Sequence, residues 1–196
     1  LKAMDVPMPK TIFAHGWWLM GSAKMSKSLG NVVNPMDMMD RYGVDSFRYF
    51  LMAEMNLGQD AAFTEEAFIR RYNADLANDL GNLLNRVISM IGKYCEGRLP
   101  TPPPGILEKE GPAAELFEQL KPVATGLQAD LEHFTLSQGI TRVIEAVRAT
   151  NRFLETQQPW AQARATGRGP LHAQLYAASE ALRIWAGLLF TLIAPK

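Results

Sequence analysis

The sequence predicts a mainly α protein: an antiparallel helical bundle preceded by a strand and a polar loop. Three observations predict it. From Thr64 onward, apolar residues recur at helical spacing and no segment alternates as a half-buried strand does. Ahead of that, TIFAHGWWL (Thr11–Leu19) is dense in β-branched and aromatic residues after Pro7 and Pro9, the pattern of a buried strand. Between the two, AKMSKSLGNVVNP (Ala23–Pro35) has almost nothing to bury.

Each element has a local signal. An isolated strand is not stable, so the partners of Thr11–Leu19 are expected to lie outside the chain. Leu1, in place of an initiator Met, agrees with a piece of something longer. After the loop, Asn34 is an N-cap, Pro35 occupies the first helical position, Asp37 sits in the first turn and Gly43 is the stop. A second short helix is expected from about Asp45 to Met55. Thr64 caps a long helix, with Glu65 and Glu66 in its first turn. It should reach Gly97, with a bend near Ala74. PTPPPG (Pro100–Gly105) ends it as a stiff surface connection. Three further helices are expected over Ala113–Glu132, Leu136–Thr156 and Gly169–Ile193, with a short piece starting at Pro159.

Composition narrows the functional classes. The 196 residues can bury a proper core, and 47% hydrophobic against 20% charged residues is the balance of a globular protein. No unbroken apolar run reaches the roughly 18 to 20 residues that span a bilayer, and no signal peptide opens the chain, so a cytosolic protein without a membrane role is expected. One cysteine, Cys95, and three scattered histidines give no zinc-like spacing, so no metal site is expected. Lys plus Arg and Asp plus Glu balance at 20 each; a nucleic-acid role must therefore rest on local patches.

Three places could carry chemistry. In the loop, Lys24 and Lys27 can place compact ammonium charges on phosphate oxygens, while Ser26, Ser28 and the backbone near Gly21 and Gly30 supply donors. With no partnered nucleophile, the work open to such a loop is electrostatic, stabilising charge on a leaving pyrophosphate; the alternative is a solvated loop with incidental lysines. In the long helix, Leu76, Leu80, Leu83, Val87, Ile91 and Tyr94 form the core stripe at about 100° per residue. Asn78, Asn82, Asn85, Arg86 and Ser89 lie opposite or on its flanks. Asn82 and Arg86, spaced i,i+4, sit one above the other and could read base edges, or form an ordinary solvated face. Trp160, in the first turn after Pro159, could stack on an unpaired base for roughly 1 to 3 kcal/mol, or pack between helices.

The motifs resolve these alternatives by resemblance. KMSKS at Lys24–Ser28 is similar to the signature of class I aminoacyl-tRNA synthetases. KMSKSLGNVVNP followed by RYGVDSFRYFL resembles their methionine, isoleucine, leucine, valine and cysteine subgroup. GQDAAFTEEAF and NADLANDLGNLLNRV resemble methionyl-tRNA synthetases in particular. The resemblance covers essentially the whole chain and is strongest from His15 to Gly97. It implies that the strand and loop are a remnant of a Rossmann-type catalytic domain, and that the bundle is the anticodon-binding domain of this subgroup. Residues 1–20 would end the nucleotide-binding domain, 21–63 would hold the loop and stem-contact helices, and 64–196 would be the helical anticodon-binding domain.

The same resemblance implies an enzyme that joins methionine to tRNA(Met) using ATP and Mg2+. Lys27 would contact the ATP phosphates and stabilise the transition state of adenylate formation, assisted by Lys24, with Ser26 and Ser28 also at the nucleotide. Asn82 and Arg86, in NLLNR, would hydrogen-bond to bases of the CAU anticodon, and Trp160, in QPW, would stack on the first of them. Arg148, Arg152, Arg164 and Arg168 could add phosphate contacts or be ordinary solvated charges. The chain contains no HIGH-type motif, methionine pocket or zinc-binding insertion, which in the family lie earlier, so on its own it is expected not to activate methionine. Another synthetase of the subgroup (Ile, Leu, Val or Cys), or a non-catalytic helical interaction module, are the competing readings.

Other features read as structural. Met36, Met38, Met39, Met52 and Met55 are expected to pack, as is His15, whose alternative is to face the nucleotide. Cys95 should be a buried thiol. Asn151 falls on the apolar stripe of its helix and should be a hydrogen-bonded interior amide rather than a base reader.

Overall fold

Asn34 opens the first helix as its residue type requires: its side-chain oxygen accepts from the Met36 N–H at 3.1 Å, and Pro35 begins the helix. Such a cap contributes about 1 kcal/mol. The structure, a computed structural model, describes residues 5–12, 14–102, 104–106, 111–161 and 168–193, and gives the backbone alone for Lys27, Arg168 and 191–193. Arg164, a phosphate contact or a solvated charge by sequence, and the side chains of Lys27 and Arg168 lie outside the described residues.

Helix α1 (Pro35–Tyr42) ends at Gly43 and is followed by α2 (Val44–Glu54). Thr64 caps α3 (Glu65–Arg71), its hydroxyl oxygen accepting from Ala67 N–H at 3.0 Å. The chain stays helical from there, but between Tyr72 and Gly81 it widens into a π-helical segment before returning to α4 (Asn82–Tyr94). The widening includes Ala74, the position near which the sequence suggests a bend. Wider turns break the 100° periodicity. Leu83 and Val87 are fully buried as the stripe requires, whereas Leu76 and Leu80 are only partly buried and Asp75 is buried instead.

Helices α5 (Pro112–Glu132), α6 (Leu136–Gln157) and α7 (Arg168–Ile193) complete the chain within a few residues of expectation. They pack around Leu120, Leu127, Ile140, Val143, Val147, Leu154, Leu175 and Trp185. The Trp185 indole N–H donates to Thr150 Oγ1 at 3.2 Å, so this buried ring leaves no polar atom unmatched. Among the described residues, no helix is long and apolar enough to cross a membrane.

The strand departs from expectation. It is confined to β1 (Trp18–Met20), and it finds two partners within the chain: β2 (Ala23–Lys24), antiparallel, and β3 (Ala61–Ala62), parallel, giving the order β2-β1-β3. The parallel partner lies beyond two helices, a long-range pairing that local patterning does not reveal. At Gly16 the two segments approach closely, for a Cβ there would sit 1.8 Å from the Gln59 carbonyl oxygen. Asp60 finishes the junction by accepting from the Trp17 N–H at 2.7 Å.

A second hydrophobic cluster, of Met38, Phe47, Phe50, Phe63 and Phe68, lies beneath the sheet and helices α1 to α3. Trp18 stacks on Phe50 with ring centres 5.9 Å apart, and Phe63 meets Phe50 edge-on at 5.5 Å. Three smaller expectations are corrected. His15 is exposed rather than packed, its ring Nδ1 2.7 Å from the Gly16 carbonyl oxygen, because the chain before β1 runs over the surface. Cys95 is half-buried, since α4 ends at Tyr94. Of the five methionines only Met36, in the solvent-facing first turn of α1, is exposed and does not pack.

Candidate functional site

The lysine loop is a built structure. Its base is the β1–β2 hairpin, and Met25 and Val33 are partly buried against the aromatic cluster, fixing both ends. Between them, residues 27–29 form a 3-10 turn closed by Leu29 N–H donating to the Ser26 carbonyl at 3.1 Å. Gly30 turns the chain with φ +67°, a conformation that favours glycine although space for a side chain is open. The turn lets Asn31 face back. Its Oδ1 accepts from Ser26 N–H at 2.8 Å and its Nδ2 donates to the Lys24 carbonyl at 3.2 Å.

Of the residues named from the sequence, Lys24, Ser26 and Ser28 sit on this frame, with the backbone of Lys27 between them. Ser26 and Ser28 hydroxyls lie 2.7 Å apart. Lys24 is exposed, with its ammonium 4.5 Å from the centre of the Trp17 ring, a cation held over an exposed aromatic face. The Lys24 ammonium, the two hydroxyls and the turn amides are a donor set for an anion, and among the described residues no nucleophile–base pair stands beside them. Asn31 and Trp17 are additions that sequence patterning does not single out. The Gly-Asn pair closing the motif is the one available signal for Asn31.

The second group forms at the junction of α4 and α6. Asn82, exposed, stands at the point where the π-helical segment gives way to α4, its backbone N–H reaching back to the carbonyls of Ala77 and Asp79. One turn on, Arg86 donates from Nη1 to Glu155 Oε1 at 3.1 Å and to Asn151 Oδ1 at 3.4 Å. Helix α6 ends at Gln157 and is capped by Gln158, whose left-handed backbone (φ 43°, ψ 58°) is costly for a non-glycine residue and turns the chain sharply. Beyond it Pro159 is buried, and Trp160 is left 38% exposed with Arg86 Cζ 6.0 Å from its ring centre. The structure thus brings Arg86 and Trp160 together from distant parts of the chain.

The residues behind this face are committed to one another. Asn151 is half-buried, and its amide donates to the Asp79 carbonyl at 2.9 Å, so it is the hydrogen-bonded amide expected, set at a helix junction. Arg148, a candidate phosphate contact by sequence, instead donates to Asp79 at 2.7 Å, Asp75 at 3.1 Å and Glu145 at 2.7 Å. The hydrogen bonds to Asp79 and Glu145 raise its pKa further above the ordinary guanidinium value. Buried Asp75 also accepts from Tyr49 Oη at 2.9 Å and from Arg71 at 3.2 Å. Burial first, and then the Asp75 charge, push the Tyr49 hydroxyl pKa far up, so it remains a donor. Arg152 is exposed on α6 and keeps its place as a candidate phosphate contact.

Comparison with known proteins sets this geometry in context. The family described as "tRNA synthetases class I (M)" matches residues 1–88. The methionine–tRNA ligase of Halalkalibacterium halodurans is 42% identical over 201 residues, spanning 100% of this chain and 30% of that protein. That of Bacillus subtilis is 39% identical over 190 residues, spanning 96% of this chain and 28% of that protein. Among solved structures, Mycobacterium tuberculosis methionyl-tRNA synthetase bound by methionyl-adenylate superposes with a TM-score of 0.87 at 32% identity, covering 98% of this chain and 37% of that one. The chain therefore spans about a third of the length of the relatives it matches.

Proposed function

This chain belongs to the methionyl-tRNA synthetase family, and we propose that within such an enzyme it reads the tRNA anticodon and supplies the lysine loop for methionine activation. Residues 1–20 end the nucleotide-binding domain, 21–63 carry the loop and the stem-contact helices, and 64–196 form the anticodon-binding bundle. The observation that carries this reading is the meeting of Arg86 with Trp160 beside Asn82. An amide and a guanidinium on a rigid helix offer directed donors and an acceptor to base edges, and the exposed indole offers a stacking face. For tRNA(Met) the bases are those of the CAU anticodon, with Trp160 stacked on the first.

In the activation step a carboxylate oxygen of methionine bonds to the α-phosphorus of ATP. The bond from that phosphorus to the bridging oxygen breaks, and pyrophosphate leaves with the electron pair. Lys27, assisted by Lys24, neutralises the charge that grows on the leaving group, and the Ser26 and Ser28 hydroxyls donate to its oxygens. Magnesium accompanies the nucleotide in such reactions. Among the described residues no group of three or more His, Cys, Asp or Glu side chains could hold a metal ion. The setting of the reaction is the cytosol.

Chemical footprinting tests the anticodon reading directly. The folded chain should protect the three CAU bases of tRNA(Met) from modification while leaving other single-stranded loops reactive. Uniform reactivity at a chain concentration that binds the tRNA would contradict it.

A further inference from the structure

Asn31 contacts the backbone on both sides of Met25. Its oxygen accepts from Ser26 N–H at 2.8 Å and its amide nitrogen donates to the Lys24 carbonyl at 3.2 Å. With the 3-10 turn at 27–29 and the reversal at Gly30, these bonds close residues 26–31 into a ring held to the end of β2. Met25, partly buried against the aromatic cluster, anchors the stem of that ring. Lys27 and Ser28 lie within the ring, and Lys24 is the residue whose carbonyl is tied.

We propose that Asn31 is the positioning residue of the lysine loop: its side-chain amide fixes the spacing between Lys24 and the turn carrying Lys27 and Ser28, so that the loop meets a triphosphate as one preformed unit. This rests on the reading of the loop as the ATP-phosphate element. The physical argument is preorganisation. Charges that stabilise a leaving pyrophosphate act well only if they need not be rearranged during reaction, and a misplacement on the order of 1 Å can cost about 100-fold in rate. An untethered loop would retain the same lysines but lose their spacing. The effect therefore falls on the activation step rather than on methionine binding or on tRNA.

The test uses a full-length ligase carrying this sequence, with methionine-dependent exchange of pyrophosphate into ATP as the readout. Asn31→Ala should lower exchange kcat by about 10- to 100-fold while leaving KM for methionine and affinity for tRNA(Met) unchanged. Asn31→Asp keeps the acceptor for Ser26 N–H and loses the donor to the Lys24 carbonyl, so its rate should fall between the two. Hydrogen exchange at the Ser26 amide should rise in Asn31→Ala, in step with the loss of rate. Lys27→Ala separates the two claims. If it slows exchange and Asn31→Ala does not, the positioning role is overturned while the phosphate reading stands. If Lys27→Ala has no effect, the phosphate reading itself fails. Parallel loss of melting temperature, methionine KM and tRNA affinity in Asn31→Ala would overturn the positioning role in favour of general folding.

Discussion

The guanidinium carbon of Arg86 lies 6.0 Å from the ring centre of Trp160, joining helix α4 to the turn that follows α6. Glu155 and Asn151 both accept from its Nη1, at 3.1 and 3.4 Å. A cation fixed over an exposed indole makes one composite surface of two residues far apart in sequence, with the polar edge and the stacking face adjacent.

Trp160→Ala should weaken binding of tRNA(Met) by about 1 to 3 kcal/mol, the range of one lost base stack. The far-ultraviolet circular dichroism and the unfolding midpoint should hardly change, because the ring is 38% exposed and Pro159, not Trp160, is the buried residue of the turn. Trp160→Phe should recover most of the affinity. Calorimetric titration at one fixed salt concentration compares the affinities of the wild type and both variants; unchanged affinity in a folded Trp160→Ala variant would sink the stacking role.

Tyr49→Phe removes a donor from Asp75, which stays buried among Arg71 and Arg148. Urea unfolding at pH 7 should show a loss of about 1 to 3 kcal/mol. The pH dependence has a definite sign. The folded hydroxyl is held neutral by burial, so its contribution is fully present below the ordinary tyrosine value of 10.0 and is lost as pH rises beyond it, because the unfolded chain ionises first. The stability gap between wild type and Tyr49→Phe should therefore narrow above pH 10; a gap that widens there would contradict the assignment.

Gly16→Ala should destabilise the sheet and the aromatic cluster beneath it by more than about 1 kcal/mol, since the new methyl carbon would fall 1.8 Å from the Gln59 carbonyl oxygen and the backbone must move. Gly92→Ala, on α4 with nothing within 4 Å of the new atom, should instead stabilise by about 0.5 to 1 kcal/mol. Thermal unfolding of the two variants side by side checks the contrast, and equal melting temperatures would refute it.

Features governed by near neighbours in the chain are legible from the residues alone. Asn34, Thr64 and Gly43 mark helix ends because a cap is a matter of two or three residues, and Leu83 and Val87 mark the core because α4 keeps regular periodicity. What is not legible depends on contacts across the chain or on unusual backbone. The pairing of Trp18–Met20 with Ala61–Ala62 spans two helices. The burial of Asp75 follows from a π-helical segment, which hydrophobic spacing at 100° per residue cannot signal. The meeting of Arg86 with Trp160 needs the left-handed turn at Gln158. Arg148 reads as a free cation in the sequence, and its ion pairs with Asp75 and Asp79 exist only once α6 lies against the π-helical segment. The roles given to Lys27, Asn82 and Trp160 come from resemblance of motifs, for their chemistry alone also fits a solvated loop, a solvated helix face and a ring packed between helices.

The central claim is that Asn82, Arg86 and Trp160 read an anticodon. The most direct measurement is a titration of the chain, at one fixed salt concentration, with tRNA(Met) bearing CAU and with the same tRNA carrying a single changed anticodon base. Phosphate contacts are common to both, so salt-dependent affinity cancels and the difference reports base reading. The CAU tRNA should bind at least about tenfold more tightly, and Arg86→Ala should abolish that preference while leaving the weaker, salt-dependent binding in place. Equal affinity for the two tRNAs by the folded wild-type chain would contradict the claim.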